Sequence, residues 1–152
     1  MSNQNQIVIT SALRTAIGSF GGSRASKTAP QLGSEVIKGC IKHSHLKTND
    51  VDTVYMGQVL TTGVGQNPAR QAAIYAGISK DKTATTINQV CGSGLASIAL
   101  AFNSIKCGDG NVRIAGGLES WLLYTSPSPR EFLLSRMPSC AGKGGGGGGG
   151  GG

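Results

Sequence analysis

Apolar positions fall into short β-type runs that alternate with helical spacings from residue 7 to about residue 115. Ile7-Val8-Ile9-Thr10 is β-branched and predicts a buried first strand. Arg14 to Gly22 is a glycine-punctuated loop. From Pro30 onward Leu32, Val36, Ile37, Cys40 and Ile41 recur at helical spacing, with Pro30 in the first turn after Thr28 or Ala29. Val51 to Leu60 reads as a second strand, and Pro68 to Gly77 as a short helix opened by proline and closed by glycine. Thr83 to Gln89 gives a third strand.

Gly92 to Cys107 predicts a helix whose apolar residues, Leu95, Ile98, Leu100, Phe102 and Ile105 among them, go most of the way round. Such a helix is expected to be buried between layers. Gly108-Asp109-Gly110 ends it, and Val112 to Ala115 is a fourth strand. The order βαβαβαβ describes an α/β unit with a mostly parallel sheet.

The character changes after Ser120. Residues 121–143 carry three prolines and no sustained period, and Gly144 to Gly152 is unbroken glycine. Polyglycine buries nothing and loses the most entropy on ordering, so this tail is expected to be disordered. Leu122 to Arg130 resembles translated sequencing adapter, and polyglycine is what uninformative G calls would encode. The expected organisation is therefore a domain over residues 1–120 and a non-native-looking tail over 121–152.

Composition narrows the function. The net charge of +7 is spread thinly, with no basic stripe interleaved with aromatics, which argues against nucleic-acid binding. A diffuse positive field would still suit an anionic, phosphate-bearing substrate. Cys40, Cys91, Cys107 and Cys140 form no C-x-x-C pair, and their spacing argues against zinc. The polar N-terminus is unlike a secretory signal, and no apolar run approaches the roughly 20 residues that span a bilayer. The expectation is a cytoplasmic protein with reduced thiols and no membrane partner.

Cys91 stands where a β-type run ends and the apolar helix begins, near the positive end of a helix dipole and among small residues. A nucleophile placed there could accept an acyl group; the competing reading is a small buried hydrophobe. A free thiol near pKa 8.5 is only a few per cent thiolate at neutral pH. A helix N-terminus contributes about 1 kcal/mol, less than or near one pKa unit, so a base is also needed. The only histidines, His43 and His45, lie near the end of the first helix and are expected to be solvated surface residues. Gly92-Ser93-Gly94-Leu95-Ala96-Ser97 nearly matches a dinucleotide-binding pattern, but its third position is serine and the acid about 20 residues on is missing.

Three segments are recognisable together: Arg14 to Gly22; Met56 to Leu60 continuing through Gly65-Gln66-Asn67-Pro68-Ala69-Arg70-Gln71; and Ile87-Asn88-Gln89-Val90-Cys91-Gly92-Ser93-Gly94-Leu95. With Ala115 to Ser120 they make residues 5–120 resemble the amino-terminal portion of the thiolase family, in its acetyl-CoA acetyltransferase branch. Ala16 stands where the family usually has proline. The resemblance implies a thiolase-like half-fold with a buried central helix starting at the nucleophile. It implies that Cys91 takes an acyl group from acyl-CoA as a thioester, and that its backbone N–H supplies part of an oxyanion hole. It also implies coenzyme A thioesters as substrates, no cofactor, and a homodimeric or homotetrameric parent. The family's activating histidine and second cysteine have no counterpart here. The chain as written is expected to be inactive alone, although its full-length parent is an acyltransferase. Two alternatives remain: a non-catalytic thiolase-like binding module, and a ketoacyl synthase or hydroxymethylglutaryl-CoA synthase relative.

Overall fold

The computed structural model describes residues 6–18 and 22–120. The expectations for residues 121–152, including Cys140, lie outside the described residues. The element order is α1 (Ala29–His43), a 3-10 turn (Thr48–Asp50), β1 (Thr53–Gly57), α2 (Pro68–Tyr75), β2 (Thr83–Ile87), α3 (Ser93–Lys106) and β3 (Arg113–Gly117). The three strands form one sheet in the order β2-β1-β3, with both pairings parallel. This is the α/β class with a parallel sheet read from the pattern.

Local chemistry explains the helix starts. Thr28 caps α1 through a reciprocal box: its hydroxyl accepts the Gln31 N–H and the Gln31 side chain accepts the Thr28 N–H. Pro30 occupies the first turn, where a missing N–H costs nothing. Asn67 caps α2 from a left-handed backbone, φ 43°, accepting the Arg70 N–H.

The chain moves from β1 through α2 to β2 on one side, then through α3 across to β3 on the other. Right-handed crossovers in opposite directions place α2 and α3 on opposite faces. Strand alternation agrees: Val54 and Met56 join the main core, which includes Ile37, Ile41, Ala69, Ala72 and Ala73, whereas Gly57 meets α3.

Two expectations require correction. Ile7–Thr10 forms no strand. A strand exists only through paired backbone groups, and this segment meets no sheet edge among the described residues. Val8 and Ile9 are exposed, and Thr10 instead shares a hydroxyl hydrogen bond with Ser44, just beyond α1. The second correction concerns α3, which is covered on one face only. Its buried residues are Ser93, Ser97, Ala101 and Ser104, all small. At 100° per residue, Leu95, Ile98 and Phe102 lie on the opposite side, and all three are exposed. The sheet covers the small-residue face, and no described element covers the other. Cys107 is its exposed C-cap.

Candidate functional site

The carboxyl ends of β1 and β2 meet where the following helices leave on opposite faces, the place at which α/β sheets bind ligands. The loop from β2 to α3 carries Cys91 to this edge. Its thiol is free and the residue is exposed. Cys91 therefore is not a buried hydrophobe. It lines an open cleft of about 280 Å³ with Gly57, Gln58 and Val59 from the end of β1, and Val90, Ser93 and Gly94 from the turn into α3. Gly117, Leu118 and Glu119 from the end of β3 complete the wall.

Glycine allows the elements to converge this closely. A Cβ on Gly57 would stand 2.4 Å from the Ser93 carbonyl carbon and 2.7 Å from the Gly94 nitrogen. A Cβ on Gly117 would be 3.5 Å from the Gly94 Cα. The start of α3 thus rests directly on backbone. The Ser97 hydroxyl lies 2.6 Å from the Gly94 carbonyl oxygen and 2.8 Å from that of Gly116, sharing its proton between helix and sheet.

The turn before Cys91 is held by side chains. Val90 has φ 51°, a left-handed conformation that costs a β-branched residue about 1–3 kcal/mol. Asn88 Oδ1 accepts the Val90 N–H at 3.0 Å. The Ser93 hydroxyl accepts the Gln89 N–H at 2.9 Å and donates to the Val90 carbonyl at 2.6 Å. The N–H of Cys91 meets no backbone carbonyl among the described residues. Gly92 offers α3 no side-chain cap; the Gly92 and Ser93 N–H groups bond instead to the Gln89 and Val90 carbonyls at 3.0 and 3.1 Å.

On the facing wall, the Glu119 carboxylate accepts the Val59 N–H at 2.9 Å and the Leu60 N–H at 3.3 Å. Asn88 Nδ2 donates to the Val59 carbonyl at 3.2 Å. Gln58 is buried, donates from its side chain to the Leu60 carbonyl, and leaves its Oε1 without a donor. Sequence reasoning missed Asn88, Gln58 and Glu119 as structural members of the site.

The other candidates fall elsewhere. His43 is the last residue of α1 and His45 follows it at φ 55°; both are exposed and neither lines the Cys91 cleft. The Gly65–Gln71 segment is a folding knot. Asn67 accepts the Thr86 hydroxyl and donates to the Ala84 carbonyl, and Gln71 donates to the Val64 and Gln66 carbonyls. The Arg70 guanidinium donates to the Lys80 and Lys82 carbonyls. At the opposite end of the sheet, Asp52 accepts the Val112 and Asn111 N–H groups and pairs with Arg113 at 3.2 Å. Those two backbone bonds hold its carboxyl below the ordinary aspartate value; burial opposes them, and Arg113 and Lys82 add smaller lowering effects. Among the described residues no helix is long and apolar enough to cross a membrane.

Comparison with known proteins gives the same reading of the chain. Residues 7–130 match the family described as thiolase, N-terminal domain. An acetyl-CoA acetyltransferase of Cupriavidus necator is 54% identical over 114 residues, 75% of this chain and 29% of the relative. One from Escherichia coli K12 is 50% identical over 116 residues, 76% of this chain and 29% of the relative. A mitochondrial acetyl-CoA acetyltransferase of Danio rerio is 51% identical over 116 residues, 76% of this chain and 28% of the relative. The chain thus spans about three tenths of the length of these curated relatives. With its parallel sheet, its cysteine at the start of α3 and a match to the N-terminal domain over most of its length, this chain belongs to the thiolase family.

Proposed function

We propose that this chain is the nucleophile-bearing part of an acetyl-CoA C-acetyltransferase. The observation that carries the reading is the exposed, free thiol of Cys91 in an open cleft at the start of α3, in a chain about half identical to proteins of that name. The Cys91 thiolate attacks the carbonyl carbon of acetyl-CoA; the carbon–sulfur bond to CoA breaks, and CoA leaves as its thiolate. The carbanion of a second acetyl-CoA, formed by loss of a proton from its methyl group, then attacks the acetyl-Cys91 carbonyl. The new carbon–carbon bond gives acetoacetyl-CoA, and Cys91 leaves as thiolate. Thiolysis is the same path reversed.

The Cys91 N–H is one donor for the oxyanion that forms on the carbonyl oxygen. Fixed donors of this kind typically provide the largest electrostatic contribution to acyl transfer. A base for the thiol and an acid/base for the second substrate must come from residues outside the cleft described here, since the lining holds neither histidine nor a second cysteine. Coenzyme A thioesters are substrates, and no cofactor takes part. The exposed Leu95, Ile98 and Phe102 stripe supports a parent in which a second layer packs on α3. A homodimeric or homotetrameric parent in the cytoplasm, where thiols are kept reduced, completes the proposal.

Mixing the full-length protein with acetyl-CoA and measuring intact mass tests the reading. The expected result is one acetyl group per chain on the Cys91 peptide, absent in Cys91→Ala. Acetylation elsewhere, or none in a folded protein, overturns it.

A further inference from the structure

We propose that Asn88 is a positioning residue for acyl transfer, acting as a two-ended strut that fixes the direction in which Cys91 is presented. The inference rests on Cys91 being the acyl acceptor. One end of the Asn88 amide accepts the Val90 N–H at 3.0 Å, which fixes the left-handed residue immediately before Cys91. The other end donates to the Val59 carbonyl at 3.2 Å on the opposite wall of the cleft. That wall is itself anchored: the N–H of the same Val59 is held by Glu119 at 2.9 Å, and the Gln58 N–H donates to the Ile87 carbonyl at 2.9 Å.

The asymmetry of the two walls makes the strut consequential. Val59 is tied to Glu119, just beyond β3, and its neighbour Gln58 to the end of β2, by bonds that bypass the Cys91 turn. The turn holds a conformation that its own residue type disfavours, so its orientation must be imposed from outside. The Ser93 hydroxyl closes the turn internally, and Asn88 alone of the named contacts ties it across the cleft to Val59. Neither amide atom of Asn88 is assigned a contact with substrate. Its effect passes through the backbone of Val90 to the Cys91 Sγ and N–H.

The test uses the full-length protein with Asn88→Ala and Asn88→Ser. Alanine removes both ends of the strut. Serine has nearly the same bulk but can still accept the N–H two residues on. Three quantities are read: kcat, KM for acetyl-CoA, and the rate of Cys91 alkylation by iodoacetamide, a small reagent that needs an accessible thiolate but no aimed trajectory. Misplacement on the ångström scale lowers kcat on the order of 10²-fold in Asn88→Ala. KM and the alkylation rate stay within about twofold, and Asn88→Ser lies several-fold below wild type but above alanine.

A wild-type kcat in either folded variant overturns the inference. So does a parallel fall in alkylation, which would mean that Asn88 acts on thiol reactivity rather than direction. If alanine does not fold, serine decides on the same criteria. If wild type itself forms no acetyl-Cys91, the proposed function fails and takes this inference with it. Wild-type acetylation with undiminished variants sinks the positioning role alone.

Discussion

Gly57→Ala gives the strongest test of how the site is assembled. The added Cβ would stand 2.4 Å from the Ser93 carbonyl carbon, 2.6 Å from the Ser93 Cβ and 2.7 Å from the Gly94 nitrogen. Two of those three atoms are backbone, so no side-chain rotation relieves the clash. Restoring an ordinary contact of 3.4 Å requires the start of α3 to retreat by about 1 Å from β1. Overpacking of this kind costs about 3 kcal/mol, near the upper end of its usual range because a helix must move. In the full-length protein, of whose relatives the matched segment is about three tenths, that is a fall in Tm of roughly 4 °C. The same shift carries Cys91, two residues before Ser93, away from its placement and lowers acyl transfer on the order of 10²-fold.

Gly94→Ala is the control. Its Cβ would find only ordinary contacts, 3.8 Å to Gly117 backbone atoms, and alanine favours a helix over glycine by about 1 kcal/mol. Thermal unfolding and acetyl-Cys91 formation are measured on both variants of the full-length protein. A Gly57→Ala protein with wild-type Tm and acylation would refute the close seating of α3 on β1.

Three further outcomes follow. Asp52 has a folded pKa below its unfolded value of about 3.9, so its stabilisation is fully present above that value and is lost as pH falls through the folded pKa. Asp52→Asn should therefore flatten acid unfolding below about pH 4 and cost about 2 kcal/mol at pH 7, discounted for solvent at the carboxylate, because it strands the buried Arg113; denaturant titration at several pH values checks both. Val90→Gly removes a left-handed cost of about 1–2 kcal/mol and adds about 0.5–1 kcal/mol of chain entropy, so Tm should hold or rise while kcat falls several-fold. Leu95→Glu with Phe102→Glu in this chain should reduce self-association in analytical ultracentrifugation without lowering Tm, since both positions are exposed.

The helices were legible because their signals are local. Pro30, Pro68 and the closing Gly77 each act within a few residues, whereas the Thr28–Gln31 box and the Asn67 cap emerged only in the structure. The three parallel strands were legible from their apolar runs. Ile7–Thr10 carries the same signal, yet a strand also needs a neighbour, and that lies in the arrangement of other segments. The face of α3 was misjudged for a related reason: Ser93, Ser97, Ala101 and Ser104 look polar or neutral, but small size lets them approach glycine backbone while the large residues remain outside. Cys91 was legible as a strand-to-helix joint. Asn88 and Glu119 were not, because their work is done across gaps of 29 and 60 residues.

Those long spans have a consequence for synthesis. The β1 wall of the cleft depends on groups supplied late: the Val59 N–H waits for Glu119, and the Gly57 carbonyl waits for the Leu118 N–H. Contacts so distant in sequence are among the last to form. A nascent chain therefore presents its sulfur, with the local Ser93 and Asn88 bonds of its turn, before the wall facing it is anchored, and the thiol acquires a fixed bearing across the cleft only once the third strand has closed the sheet. Chemical readiness is thereby tied to completion of this layer rather than to the mere emergence of the cysteine.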